Sequence, residues 1–447
     1  MNALHILSKS RGTKNLISRI ILILRRFGIS SKKFEHLLNR YTTVTRGLGL
    51  VPTFPITAVT LKRHSKLVKK SMQQGIEYAV HGYFHIDYGV LPLTDQTKHF
   101  KKAIDIFNKY EIPFTGFRAP LIRIKNQTTD VLYKLGFGYD SSIGICWDVI
   151  DKEKQAKDTW REYERVQSFY KSQQAENCLV LPRLTDNIIE IPISIPDDEI
   201  IIDRLGITDE KEISDIWMAI LKAAYQNGEL FTLQLHPERI LLCEAALTNI
   251  IQEARGLKPG IWIATLQEIT EWWKERSTFN FELNDIGVGK YRVKAKCSDK
   301  ATILLKNVNT NIRVDEWFNG YQSISDKEFV IESPKRPVIG VSAGSSQVAV
   351  SFLKNEGYIV EESDNPNNYG IYLNDLVHFE ESNEKSLSQK IEHSEAPLLR
   401  YWRWPDKSRS ALSVTGDIDS MTIIDFVLRI LENGLVNWQQ LKKRNSE

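Results

Sequence analysis

The stretch Gly75-Ile-Glu-Tyr-Ala-Val-His81-Gly-Tyr-Phe-His85 decides how the fold is read. Ile76–Val80 is a short apolar run introduced by a glycine, the mark of a buried strand. A histidine pair follows it at once. The same unit recurs on both sides. Upstream, Leu48–Thr57 reads as a strand and Leu61–Gln74 as a helix closed by Gly75. Downstream come helix Gln96–Tyr110, strand Phe114–Arg118, helix Thr128–Leu135 and strand Phe137–Ser141. A polar, irregular stretch over 150–180 precedes strand Ile188–Ile195, helix Lys211–Gln226, strand Leu230–Leu235, helix Leu241–Arg255, strand Gly260–Thr265 and helix Leu266–Arg276. Short apolar strands alternating with helices across 48–276 are the pattern of a parallel α/β fold, open or barrel. His81, Arg118, Asp140 and His236 each stand at or just after a strand end. In such folds the carboxyl ends of the strands build the site.

Beyond residue 280 the pattern changes. Tyr291–Lys296 and Ala301–Leu305 read as short antiparallel strands, and Arg336–Gly344, Ser345–Asn355 and Tyr358–Glu362 as strand, helix, strand. The Gly340–Gly344 turn lacks the full dinucleotide spacing and a P-loop lysine, so it reads as a structural turn. Residues 381–396 are polar, a surface helix or linker. From Pro397 the chain is apolar again: strand Ala411–Thr415, the acidic turn Gly416-Asp-Ile-Asp419, and helix Met421–Asn433. That last unit matches the 48–276 region in style. Three parts are expected: 1–279, an inserted smaller α+β domain over 280–395, and a C-terminal segment over 396–447.

Composition sets outer bounds. At 447 residues, and roughly 150 residues per domain, two or three domains are expected. The 59 basic and 56 acidic residues nearly balance, and no basic stripe is interleaved with aromatics, so no nucleic-acid partner is expected. Four scattered cysteines without a CxxC pair argue against a cysteine zinc site and fit a reducing compartment. The apolar run Ile20–Leu24 is short for a signal peptide and is followed by Arg25 and Arg26. No apolar run reaches about 18 residues. A cytoplasmic protein is the expectation. Lys14–Phe27 reads as a basic amphipathic helix, packed on its own domain or making peripheral contact with a membrane surface. Nothing in the sequence sets the oligomeric state.

Chemistry concentrates in a few residues. His81 and His85, four apart after a strand end, are spaced to hold one metal, although such pairs also serve as caps or core. Asp417 and Asp419 share one turn, where like charges call for a cation or an arginine, unless they are solvated turn acids. Two histidines and one aspartate make a three-ligand set for zinc or another divalent ion, with the second aspartate free to take a proton. Arg118 could hold such a carboxylate ionised. His236 is a candidate general acid for a leaving amine.

As a set, these motifs resemble the polysaccharide deacetylases of carbohydrate esterase family 4. Thr415–Asp419 matches the acidic Thr-Gly-Asp-x-Asp motif, His81–His85 the His-x-x-x-His motif, Arg118–Pro120 the Arg-x-Pro motif and Leu233–His236 the Leu-x-x-His motif. Tyr139–Ser142 with Trp147 resembles the fourth motif loosely. The resemblance implies a distorted (β/α) barrel and removal of an N-acetyl group from a sugar or glycan. It implies Asp419, His81 and His85 as metal ligands, zinc being the expected ion, Asp417 as base, Arg118 as its orienting partner and His236 as acid. The acidic motif comes last in this chain and first in the family, which implies a circular permutation. Asp140, Asp197 and Asp198 are the candidates for the carboxylate supporting His236. Hydrolysis of another carbon–nitrogen amide bond, or a non-catalytic glycan-binding or scaffold role, are the rival readings.

Overall fold

The computed structural model describes residues 26–185 and 187–444. Residues 14–25 of the N-terminal helical reading therefore lie outside the described residues. Helix α1 (Lys32–Gly47) leads into β1 (Thr53–Ile56), α2 (Ala58–Arg63), α3 (Ser65–Met72) and β2 (Glu77–Val80). Then come α4 (Leu93–Lys109), β3 (Gly116–Phe117), α5 (Thr128–Lys134), β4 (Tyr139–Asp140), β5 (Gly144–Cys146) and α6 (Lys157–Tyr170). Short strands β6 (Gln173–Gln174), β7 (Arg183–Thr185), β8 (Ile188–Glu190) and β9 (Ile193–Ile195) precede α7 (Glu210–Asn227), β10 (Leu230–Gln234), α8 (Ile240–Gly256), β11 (Ile261–Ile263) and α9 (Leu266–Arg276).

The next region is mostly β: β12 (Asn280–Gly287), β13 (Lys290–Lys296), β14 (Ile303–Lys306), β15 (Asn309–Thr310), β16 (Asp315–Glu316), β17 (Tyr321–Ile324) and β18 (Glu328–Glu332). A second group follows: β19 (Arg336–Val341), α10 (Gln347–Asn355), β20 (Val360–Glu362), β21 (Tyr369–Leu373) and α11 (Glu384–Glu392). Strands β22 (Leu398–Tyr401) and β23 (Ser410–Thr415) and helix α12 (Ile423–Arg444) close the described chain.

The main sheet runs β10–β23–β1–β2–β3–β4–β8–β7, with β11 also on β23. Its ladders are parallel except β7–β8. Every residue of β1, β10 and β23 is buried, as expected of strands covered on both faces. The last strand thus sits inside the sheet. Leu230–Gln234 pair in register with Ala411–Thr415 on one side, and Thr53 pairs with Thr415 on the other. Strand β9 runs beside β10 but hydrogen-bonds to β5, so the wall is interrupted there. The α/β architecture is the one the alternating pattern predicts, and the distorted barrel, here with an interrupted wall, is the one the resemblance implies.

Several local expectations change. Ile188–Ile195 is two strands in two sheets, because Pro192 between them cannot donate to a ladder. Leu61–Gln74 is two helices broken at His64, whose φ and ψ of −122° and 30° leave the helical region. The 150–180 stretch holds the 14-residue helix α6. Its apolar contacts, Trp160, Tyr163, Val166 and Tyr170, fall at helical spacing among many charges, and only Tyr163 is fully buried.

The inserted region forms two antiparallel four-stranded sheets and one parallel three-stranded sheet. Strand β22 pairs with β14 of that region, so the chain rejoins the main sheet at Ser410. The insert shares a core with the barrel. Leu230, Trp272 and Trp273 cluster with Ile339, Leu353, Trp402 and Trp404, and each fully buried large apolar side chain contributes about 1.5–3 kcal/mol.

Candidate active site

The carboxyl ends of β1, β2, β3, β4, β10 and β23 converge, because parallel strands all end on the same rim. His81 follows β2, Arg118 follows β3, His236 lies beyond β10, and Asp417 and Asp419 follow β23. Gly416 makes the acidic turn fit: a Cβ there would overlap the Leu235 backbone carbonyl. Gly82, between His81 and the rest of its loop, has a φ of 80° and packs against the Tyr88 ring. Both glycines are places where a side chain would displace a site loop.

His81 is 1% exposed and its Nδ1 lies 2.8 Å from the Arg118 carbonyl oxygen. A carbonyl only accepts, so Nδ1 carries a proton, and the ring turns its Nε2 toward the acidic turn. That Nε2 lies 3.3 Å from Asp419 Oδ1 and 3.7 Å from Asp417 Oδ2. His85 Nε2 lies 3.2 Å from Asp419 Oδ2. Burial first, helped by Arg429 and His81, lowers the His85 pKa, against the pull of Asp419. Burial by itself would raise Asp419, but His85 and Arg429 hold its carboxyl well below the usual range.

A divalent cation fits these groups. Asp419 Oδ1 is buried, accepts no hydrogen bond, and faces His81 Nε2. The donor atoms of His81, His85 and Asp419 lie within 4.8 Å of one another. Their contacts of 3.2–3.3 Å are near the edge of a tetrahedron with about 2.0–2.1 Å ligand bonds. Arg429, from α12, donates to the outer oxygen, Asp419 Oδ2, at 2.6 Å.

Asp417 is anchored separately. Arg118, wholly buried, donates to its Oδ1 at 3.1 Å and to Thr415 Oγ1 at 2.9 Å. Two further bonds aim the guanidinium, to Ser141 Oγ at 3.0 Å and the Ser141 carbonyl at 3.1 Å. Gln234 Nε2 donates to Asp417 Oδ2 at 3.2 Å.

His236 stands two residues beyond Gln234. Its Nδ1 is 2.7 Å from Asp198 Oδ1, and its backbone N–H donates to Asp198 Oδ2 at 2.7 Å. Burial alone would lower the His236 pKa; the Asp198 carboxylate reverses this and holds it well above the usual histidine range. Arg239 also donates to Asp198, at 3.4 Å. Asp198 is thus the carboxylate on His236. Asp197 instead accepts the Ile200 N–H at 2.8 Å, and Asp140 accepts Ser142 Oγ at 2.6 Å.

Comparison with known proteins bears on this arrangement. Residues 37–139 match the polysaccharide deacetylase family model. Over that segment the chain is similar to the polysaccharide deacetylase family. A peptidoglycan deacetylase-like protein from Gibberella zeae is 31% identical over 158 residues, covering 32% of this chain and 40% of that protein. The chain therefore spans two fifths of that relative's length. A peptidoglycan deacetylase from Helicobacter pylori is 21% identical over 247 residues, covering 49% of this chain and 77% of that one. A probable polysaccharide deacetylase structure from Pseudomonas aeruginosa aligns with 54% of this chain and 73% of its own, at 18% identity and a TM-score of 0.42. The deacetylase-family match includes His81, His85 and Arg118. Asp417 and Asp419 reach the site from 278 and 280 residues beyond its end, through β23.

Five of the six residues expected from sequence, His81, His85, Arg118, Asp417 and Asp419, form one contact network. The sixth, His236, reaches it through Gln234 of the same segment. Sequence reasoning missed Gln234, Ser141 and Arg429. Gln234 and Ser141 had a readable signal, being polar residues at strand ends within quoted motifs. Arg429 had none, because its neighbour Asp419 is met only through the docking of α12.

Proposed function

We propose that this protein is a divalent-metal-dependent deacetylase that hydrolyses the N-acetyl amide of a sugar in a glycan pathway. The observation that supports it best is the buried Asp419 Oδ1, which accepts no hydrogen bond and lies 3.3 Å from His81 Nε2, with His85 Nε2 3.2 Å from the other carboxylate oxygen. His81, His85 and Asp419 would hold the ion, with zinc the first expectation for two imidazoles and one carboxylate. When bound, such an ion supplies Lewis acidity toward a water and an amide carbonyl.

The chain's own groups supply the proton chemistry. Asp417, its carboxylate fixed by Arg118 and Gln234, takes the proton from the attacking water. Arg118 aims that carboxylate, and it is itself immobilised by Ser141 and Thr415. His236, protonated because Asp198 lies against Nδ1, gives the proton on Nε2 to the departing amine.

The placement of β23 between β10 and β1 supports reading the chain as circularly permuted, with the 410–444 unit supplying the acidic motif. We place the protein in the cytoplasm, acting on a nucleotide- or lipid-linked intermediate. Metal analysis of wild type beside Asp419→Ala, with acetate release from UDP-linked, lipid-linked and polymeric N-acetylhexosamines, tests the whole reading. Near-stoichiometric metal lost in the variant, with acetate from a carrier-linked sugar, is expected. Metal retained in the variant removes Asp419 as ligand; turnover of the polymer alone removes the carrier-linked substrate; metal and turnover absent throughout leave a glycan-binding protein.

A further inference from the structure

The seam between barrel and insert holds a cavity of about 800 Å³, a volume in the range of small-molecule sites. Helix α9 and strand β7 line it from the barrel, and β12, α10 and β22 from the other side. Rings dominate the lining: Trp273, Phe279, Phe281, Phe352, Tyr358 and Tyr401. The Phe281 and Tyr401 rings lie stacked with centroids 3.9 Å apart. Among the described residues that line this space, none belongs to the His–Asp site at the strand ends.

Its charges do not balance. Among the described residues, the cations Arg183, Arg276 and Lys354 line the cavity with the acids Glu356 and Glu384. Both acids are taken: Glu384 pairs with Arg183 at 2.7 Å, and Glu356 accepts from Arg403 Nε at 2.9 Å. Arg276 is left over, and it is 7% exposed. Its Nε donates to the Trp402 carbonyl at 3.2 Å and its Nη1 to the Asn355 carbonyl. Its Nη2 is buried and has no hydrogen-bond partner, a costly state for a donor on a buried cation. Gly357, at a φ of 93°, keeps the space beside that nitrogen open, since a Cβ there would come within 3.1 Å of Nη2. Burial, with Arg400 and Arg403 nearby, pushes the Arg276 pKa down to about 9, against the pull of Glu356. The guanidinium stays charged and lacks a counter-charge of its own.

We propose that this cavity binds a small organic anion, a carboxylate or phosphate that accepts from Arg276 Nη2 and is carried on a flat apolar body lying among the rings. One anionic oxygen meets the guanidinium through Nη2, because Nε and Nη1 are already bonded to carbonyls. The aromatic lining takes a planar body by stacking or edge contact. Lys354, exposed on α10, adds a second positive charge at the rim. Because the walls come from both units, the occupant bridges barrel and insert, away from the strand-end acids.

The test titrates the full chain with 2-naphthoate, 2-naphthyl phosphate and neutral 2-naphthamide by isothermal calorimetry. An anion should bind at one site at least about tenfold more tightly than the amide, and the tighter of the two anions names the head group. Arg276→Gln, which removes the charge, should weaken anion binding about tenfold or more, and Lys354→Glu, which reverses a charge at the rim, should weaken it as well. Circular dichroism checks the fold of each variant; where Arg276→Gln does not fold, the exposed Lys354→Glu substitution decides. His81→Ala should bind the anion like wild type, so the anion site and the deacetylase reading can fail separately. Absence of binding by wild type overturns the proposal, as does equal binding of the amide or undiminished binding by the deciding variant. Loss of binding in His81→Ala overturns it in favour of the strand-end site.

Discussion

His236 and Asp198 are a buried pair whose strength depends on both charges. The histidine pKa is raised and the Asp198 pKa lowered by their contact, against the effect of burial on each. Their stabilisation is therefore present above the unfolded aspartate value of about 3.9 and below the unfolded histidine value of about 6.5. It fades as pH falls through the depressed Asp198 value or rises through the raised His236 value. Asp198→Asn should bring the His236 titration down, seen by NMR, and cut kcat by about 100-fold or more if His236 is the acid. Asp140 behaves oppositely. Burial, with Glu190 alongside, pushes its carboxyl up to about 8, so it is a neutral acid in the fold. Its contribution is complete below about pH 3.9 and is lost as pH rises toward 8. Asp140→Asn, which mimics the neutral form, should equal wild type in stability near pH 4. By pH 8 it should be more stable by a few kcal/mol, on the order of 1.4 kcal/mol for each pH unit crossed. Denaturant melts at several pH values measure this, and a constant difference across pH would refute it.

Strand β23 and its turn carry the acids, and both depend on close backbone approach. Because a Cβ on Gly416 would overlap the Leu235 carbonyl, Gly416→Ala should push the acidic turn away from His81. We expect loss of metal, read by mass spectrometry, with a stability cost of about 1–3 kcal/mol for the forced overlap. Leu412 is fully buried in the middle of the same strand. Leu412→Ala should cost about 2–5 kcal/mol by denaturant melting and yet leave metal stoichiometry intact in the folded fraction. The contrast separates a strand that only packs from a turn that presents ligands. At this level α6 escaped sequence reading because one face touches the core with few residues, so charge dominated the local pattern. The division of Ile188–Ile195 into two strands was legible in Pro192, whose missing donor is a local property.

The insert and the barrel act as one molecule through buried ion pairs. Arg403, 2% exposed, binds Glu356 of the insert, donates to the Asn227 carbonyl of the barrel at 2.9 Å, and reaches Ser388 Oγ at 3.2 Å. Glu356→Ala leaves this guanidinium buried without its carboxylate, a loss of about 3–5 kcal/mol. It should lower one cooperative transition in calorimetry; two separated transitions in wild type would show that the units melt independently. The sequence by itself determined the parallel α/β class, since the apolar period of each segment is a local quantity. It also marked the six candidate residues, since each sits at a strand end in a motif of fixed spacing. Only the tertiary structure decided that β23 enters between β10 and β1, that Asp198 and not Asp140 or Asp197 supports His236, and that Arg429 sits on Asp419. Those are contacts between segments up to hundreds of residues apart. They are set by strand order and helix docking, which no local periodicity encodes.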